Sequence, residues 1–156
     1  VDDLFDTMYA IETGVGLAAN QIGRLERVFV FDCGEDETGY VVNPVVEIIG
    51  DDEQTGAEGC LSVPGVSVPT VRAARARVQG QDVRGDAVTY EGEGLVARCF
   101  QHEVDHLDGK LYIDRLTGED RKDSRRKLRD RGYGQLSGTT QSDRAMSVNS
   151  SFGGAR

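Results

Sequence analysis

The stretch GLVARCFQHEVDHL, residues 94–107, constrains this chain more than any other. Read as a helix, it confines Arg98, Gln101, Asp105 and the following Asp108 to one polar stripe, and leaves Leu95, Val96, Cys99, Phe100, Val104 and Leu107 on the remainder. A helix so apolar is expected to be mostly buried, with the rest of the chain arranged around it. It also carries both histidines of the chain, His102 and His106. Residues four apart lie one above the other on a helix, so the two imidazoles can converge on one cation, and Glu103 beside the first can serve water at that cation. Histidines that merely filled a core or a surface would have no reason to take ligand spacing next to a carboxylate, and a metal site is expected.

A catalytic metal of this kind takes three protein ligands and keeps a position open. Cys99 shares the stripe with both histidines, but seven residues separate it from His106, about 10.5 Å along the axis, which a cysteine side chain does not span. Core packing suits it better. Cys33 stands beside an acidic turn, whereas Cys60 lies in EGCLSVPG, a tight segment bounded by glycine and proline that can present a thiolate to a distant helix. Spacing favours Cys60 and leaves Cys33 open. A zinc metallopeptidase is a weaker alternative: the extended pattern HExxHxxGxxH requires a histidine where Tyr112 stands, and the downstream glutamate candidate, Glu119, follows His106 too closely in the polar TGED.

The surroundings of the helix are read from periodicity. Leu4, Phe5, Met8 and Ile11 recur at spacings of three and four, predicting an amphipathic helix from Asp2 to about Ile11 that ends at Gly14. RVFVFD, YVVNPVVEIIG and TVRAARARVQGQDV predict strands in antiparallel pairs, separated by turn-rich GEDETG and DDEQTG. RKDSRRKLRDR, residues 121–131, predicts an exposed third helix whose seven basic and two acidic side chains make a local +5, leaving −14 on the rest. The expected fold class is α+β: antiparallel or mixed β-sheets packed around the central histidine-bearing helix, with an N-terminal and a C-terminal helix. One domain is expected over 1–134, with 38% hydrophobic residues in the chain to build its core, followed by a disordered polar tail over 135–156. Because VDDLFDTMYA opens without methionine and already inside a helix, a preceding segment is expected.

Three cysteines show no paired framework, which predicts no disulfide and a reducing, cytoplasmic setting. No apolar run approaches the roughly 18 residues of a membrane span, and a net charge of −9 opposes general binding to DNA.

Three motifs in order, GVGLAANQ at 14–21, EGCLS at 58–62 and QHEVDHLDG at 101–109, together resemble the peptide deformylases, from the first helix through about Gly134. The resemblance implies removal of the formyl group from the N-terminal formylmethionine of newly synthesised polypeptides, using a divalent metal held by Cys60, His102 and His106. Family members use Fe(II), replaceable by zinc, nickel or cobalt; iron is expected here, with activity lost in oxygen as metal and Cys60 oxidise. Glu103 is implied as general base and then acid, and the Gln21 side-chain amide and the Leu61 backbone N–H as donors to the oxyanion. Gly16, Gly59 and neighbouring main chain are implied to hold substrate, with Val15, Leu95 and Cys99 near the methionine pocket. Glu58 and Asp105 are candidates to orient these groups or to pair with Arg72.

The chain departs from the family pattern in two places. Family chains begin earlier, with a strand and loop over the first helix, and Val66 and Ser67 stand where an arginine or an aromatic is expected at the mouth of the peptide groove. The expected partners are formylmethionyl nascent peptides. The basic helix is either a solvated surface or a transient contact for ribosomal RNA phosphate. A non-catalytic relative that binds metal or peptide is the alternative function.

Overall fold

The structure, a computed structural model, describes residues 1–11, 14–34 and 36–131; the tail expected over 135–156 lies outside the described residues. Two compact units divide the chain, one formed by Val1–Gln54 and Arg72–Leu111, the other by Thr55–Val71 with the segment that begins at Tyr112.

In the first unit, strands β1 (Gly16–Ala18), β2 (Val28–Asp32), β3 (Thr38–Ile48), β6 (Arg75–Gln81) and β7 (Ala87–Glu93) form a five-stranded sheet in the order β1-β2-β3-β6-β7, antiparallel throughout. Successive residues of a strand point to opposite faces, and β2 uses both. Phe29 and Phe31 join Ala18, Val41, Val78, Val96, Cys99, Phe100 and Val104 in the core under helix α2 (Gly94–Leu107). Val30 turns the other way, to Leu4, Met8, Leu17 and Ala19 under helix α1 (Asp2–Tyr9). The first helix is therefore shorter than expected, Ala10 closing it, and its buried residues are Leu4 and Met8.

Helix α2 has the expected bounds, and part of its polar stripe is buried: Arg98 and Asp105 are 3% and 4% exposed, while Gln101 is half-buried and Asp108, just past the helix, is exposed. Hydrogen bonds replace water there. Gln101 accepts from the Ala73 N–H at 3.1 Å and donates to the Ala73 carbonyl at 3.1 Å, and Asp105 takes Arg72 at 2.6 Å. These contacts explain a correction. TVRAARARVQGQDV is not one strand but two, because Ala73 gives its backbone groups to Gln101 and Ala74 bonds Asp52 and Gly94 before β6 begins. A second irregularity lies in β3, whose register shifts between Val42 and Val45, where Asn43 has φ 51° and Pro44 lacks an N–H.

The second unit contains most of a two-stranded sheet, β4 (Glu53–Cys60) and β5 (Val63–Ala73), joined by the Leu61–Ser62 turn. Glu53–Gly56, expected in a turn, are in strand. Val66, Val68 and Thr70 are buried along β5 while Ser67, Pro69 and Val71 are exposed. Short helix α3 (Tyr112–Arg115) anchors on this strand, the Tyr112 hydroxyl donating to the Val66 carbonyl at 2.6 Å, and α4 (Gly118–Asp130) carries the basic residues on an exposed surface. No helix among the described residues is long and apolar enough to cross a membrane.

Phe100 is fully buried and meets Phe31 edge to face, ring centroids 5.1 Å apart, with Phe29 at 6.2 Å. Phe100→Ala is expected to cost about 3–5 kcal/mol of folding stability; urea unfolding monitored by circular dichroism checks it, and a loss below about 1 kcal/mol would show that α2 does not depend on this contact.

Candidate metal centre

The end of α2 is set by the last letters of HLDG. Gly109 takes φ 73°, its N–H bonds the His106 carbonyl at 3.0 Å, and the Lys110 N–H reaches the Asp105 carbonyl at 2.8 Å. That pair of bonds is the Schellman stop, which glycine at this position makes inexpensive. It fixes where the last turn, and His106 on it, comes to rest. Two side chains reinforce the stop: Asn20 donates to the His106 carbonyl at 2.5 Å, and Arg27 donates to the Leu107 carbonyl and the Asp108 carboxylate, each at 2.9 Å.

Within this frame the Nε2 atoms of His102 and His106 face each other at 3.2 Å, on rings 4% and 5% exposed. Two imidazole ligands of one tetrahedral ion, with bonds of about 2.0–2.1 Å, would hold their nitrogens roughly 3.3 Å apart. The observed spacing matches. Cys60 is buried at the end of β4, and the Ser62 N–H points to its sulfur at 3.3 Å, a contact in which sulfur is the acceptor, as a metal-bound thiolate is. Among the described residues, Cys60, His102 and His106 form a group that could hold a metal ion, one ligand atom of each lying within 4.8 Å of the others. Cys33 and Cys99 are not in that group. Cys99 is fully buried and donates to the Val15 carbonyl at 3.3 Å, as expected of a packed residue.

Glu103 is 2% exposed and lies against Gly16: a Cβ on Gly16 would come within 2.6 Å of Glu103 Oε1 and 2.8 Å of Cys99 Sγ. Only glycine lets β1 run this close to the carboxylate. Gln21 lies in the 3-10 turn Ala19–Ile22, where its Oε1 accepts the Ala18 N–H at 2.9 Å. With the carbonyl end committed, the orientation of the amide NH₂ is fixed as well. Of the other expected residues, Val15 is buried, Leu95 is 38% exposed at the start of α2, Gly59 is buried and Leu61 half-buried in the turn after Cys60. Glu58 is fully buried, and the expected partner of Arg72 is Asp105; a buried pair of this kind fixes position more than it adds stability. Val66 is buried beneath Tyr112 and Ser67 is exposed. Asn20 and Gln101 are absent from the expected set because each acts on distant backbone, which no local pattern records.

The family model described as polypeptide deformylase matches residues 1–122. The chain is similar to peptide deformylase 1 of Corynebacterium efficiens, with 53% identity over 125 residues covering 78% of this chain and 73% of that one. It is also similar to the crystal structures of peptide deformylase from Thermus thermophilus (TM-score 0.76, 42% identity, 83% and 77% of the two chains covered) and from Legionella pneumophila (TM-score 0.73, 43% identity, 86% and 79% covered).

Gly16→Ala is expected to leave the fold intact at a cost of about 1–3 kcal/mol and to displace the Glu103 carboxylate. A crystal structure of the variant checks this; an unmoved carboxylate would mean that β1 yields instead.

Proposed function

The chain belongs to the polypeptide deformylase family, and from that premise we propose that Cys60, His102 and His106 hold the divalent ion on which its chemistry depends. The protein is a metal-dependent hydrolase that removes the formyl group from the N-terminal formylmethionine of newly synthesised polypeptides. Neither the metallopeptidase nor the non-catalytic reading is favoured. The observation that carries the ligand assignment is the buried pair of Nε2 atoms at 3.2 Å. One thiolate and two neutral imidazoles leave one net positive charge, and Fe(II) is the ion assigned here, with zinc, nickel or cobalt as substitutes. When bound, such an ion supplies Lewis acidity that polarises the formyl carbonyl and makes hydroxide available near neutral pH.

The chain's own residues then have distinct tasks. Glu103 takes a proton from the attacking water and delivers it to the amine nitrogen as the C–N bond breaks. The Gln21 amide and the Leu61 N–H donate to the oxygen that becomes negative, and the Gln21 amide is oriented beforehand by the Ala18 N–H, so it needs little reorganisation when charge develops. Gly16 and Gly59 offer main chain to the peptide, and Val15, Leu95 and Cys99 wall the methionine pocket. Fully buried Cys99 suits an apolar side chain. Val66 and Ser67, in place of the expected arginine or aromatic, alter the grip on residues beyond methionine. Iron beside a thiolate makes the enzyme oxygen-sensitive.

A cytoplasmic location belongs to this proposal, since nascent chains begin there. Ribosome contact through α4 belongs to it as well, supported by the exposure of Arg125, Arg126 and Arg129. Neutralising these three is expected to reduce co-sedimentation with ribosomes in low salt, and equal recovery would leave α4 a solvated surface.

Glu103→Ala is expected to reduce anaerobic formate release from formyl-Met-Ala-Ser by about 10²–10⁴-fold while bound metal is retained. Turnover near that of the unaltered chain would remove Glu103 from the proton transfers, and loss of the metal would make it a structural support instead.

A further inference from the structure

We propose that Asn20 is a positioning residue that ties the turn carrying Gln21 to the metal-facing end of α2. Its side-chain amide donates to the carbonyl of His106 itself at 2.5 Å, across 86 residues of sequence. The next residue, Gln21, is locked by the Ala18 N–H. One residue of the 3-10 turn therefore grips the backbone of an imidazole ligand while its neighbour presents the oxyanion donor. The inference rests on the reading above, in which Gln21 and His106 serve the same reaction.

The His106 carbonyl does not need Asn20 to be satisfied. Gly109 already donates to it at 3.0 Å, and Asn20 is exposed, so water can take the place of a lost amide. Water cannot act as a tether. It bonds the carbonyl without being attached to the turn, so removing Asn20 leaves stability almost unchanged and loosens the spacing between the Gln21 amide and the His106 ring. Arg27 grips the same end of α2, but on Leu107 and Asp108, beyond both histidines, and its ion pair is well exposed, 42% and 39% for the two side chains. Asn20 is the contact made on a ligand residue.

The test compares the unaltered full chain with Asn20→Ala and Asn20→Ser, each alone and combined with Gln21→Ala, all loaded anaerobically with Co(II). The tether predicts kcat about tenfold lower in Asn20→Ala, KM changed by less than about twofold, shifted Co(II) absorption bands, faster Co(II) loss to a chelator, and an unchanged melting temperature. It further predicts that Asn20→Ala costs little more once Gln21 is already alanine, because the group being positioned is gone. Unchanged kcat and Co(II) bands overturn the proposal. So does a loss that persists undiminished in the Gln21→Ala background, or one that merely tracks a fall in melting temperature. Asn20→Ser, whose shorter side chain cannot span the same distance, decides by the same criteria if Asn20→Ala fails to fold. An unaltered chain that binds Co(II) and releases no formate, or binds none, fails at a different point: it overturns the reading on which Asn20's role rests.

Discussion

Two imidazole nitrogens held 3.2 Å apart in a buried site are the constraint that the rest of the first unit serves. Such a pair requires a helix that neither rotates nor slides, since a shift of one residue along α2 turns both rings away together. The polar stripe of α2 supplies that restraint. Gln101 fastens the middle of the helix to the backbone of Ala73, the Arg72–Asp105 pair fastens the next turn, and the Gly109 stop ends it immediately after the second histidine. Gln101 and Asp105, which would ordinarily face water, are instead spent on position, and their burial is tolerated because they hydrogen-bond within the protein.

The chemistry then depends on close approach. Gly16 brings β1 against Glu103 and Cys99, the residues proposed as proton carrier and pocket wall, and a side chain at position 16 would collide with both. Gln21 gains its amide orientation from its own turn, through the Ala18 N–H, while the proposed Asn20 tether sets how far that turn lies from the His106 backbone. Electrostatic stabilisation of a developing oxyanion works best with donors set before the reaction starts, and in the proposed mechanism this local lock gives Gln21 that property.

Much of this was legible in the sequence where periodicity and stop signals act locally. The bounds of α2 and the shared face of His102 and His106 follow from 3.6-residue spacing. The division of TVRAARARVQGQDV into two strands was not legible, because the break is made by Gln101 reaching Ala73 from 28 residues away. Nor was β4: EQTGAEGC lacks the β-branched content that marks a strand, and takes that form by pairing with β5. The polar stripe of α2 was visible, but not that part of it is buried, since its partners Arg72 and Ala73 lie in another element. Among the candidate site residues, spacing reached the histidine pair and Glu103. Spacing favoured Cys60 over Cys33 without excluding Cys33, the three motifs together implied Cys60, and Asn20 lay within the first motif with nothing local to mark its reach to His106.

The identity of the donor set is what every later step depends on. X-ray absorption at the metal edge of zinc-substituted protein reads it directly. One sulfur at about 2.3 Å and two imidazole nitrogens at about 2.0–2.1 Å, with a light atom from solvent completing the shell, is the predicted result. A spectrum without the sulfur shell, or with a further protein donor in place of solvent, would contradict it.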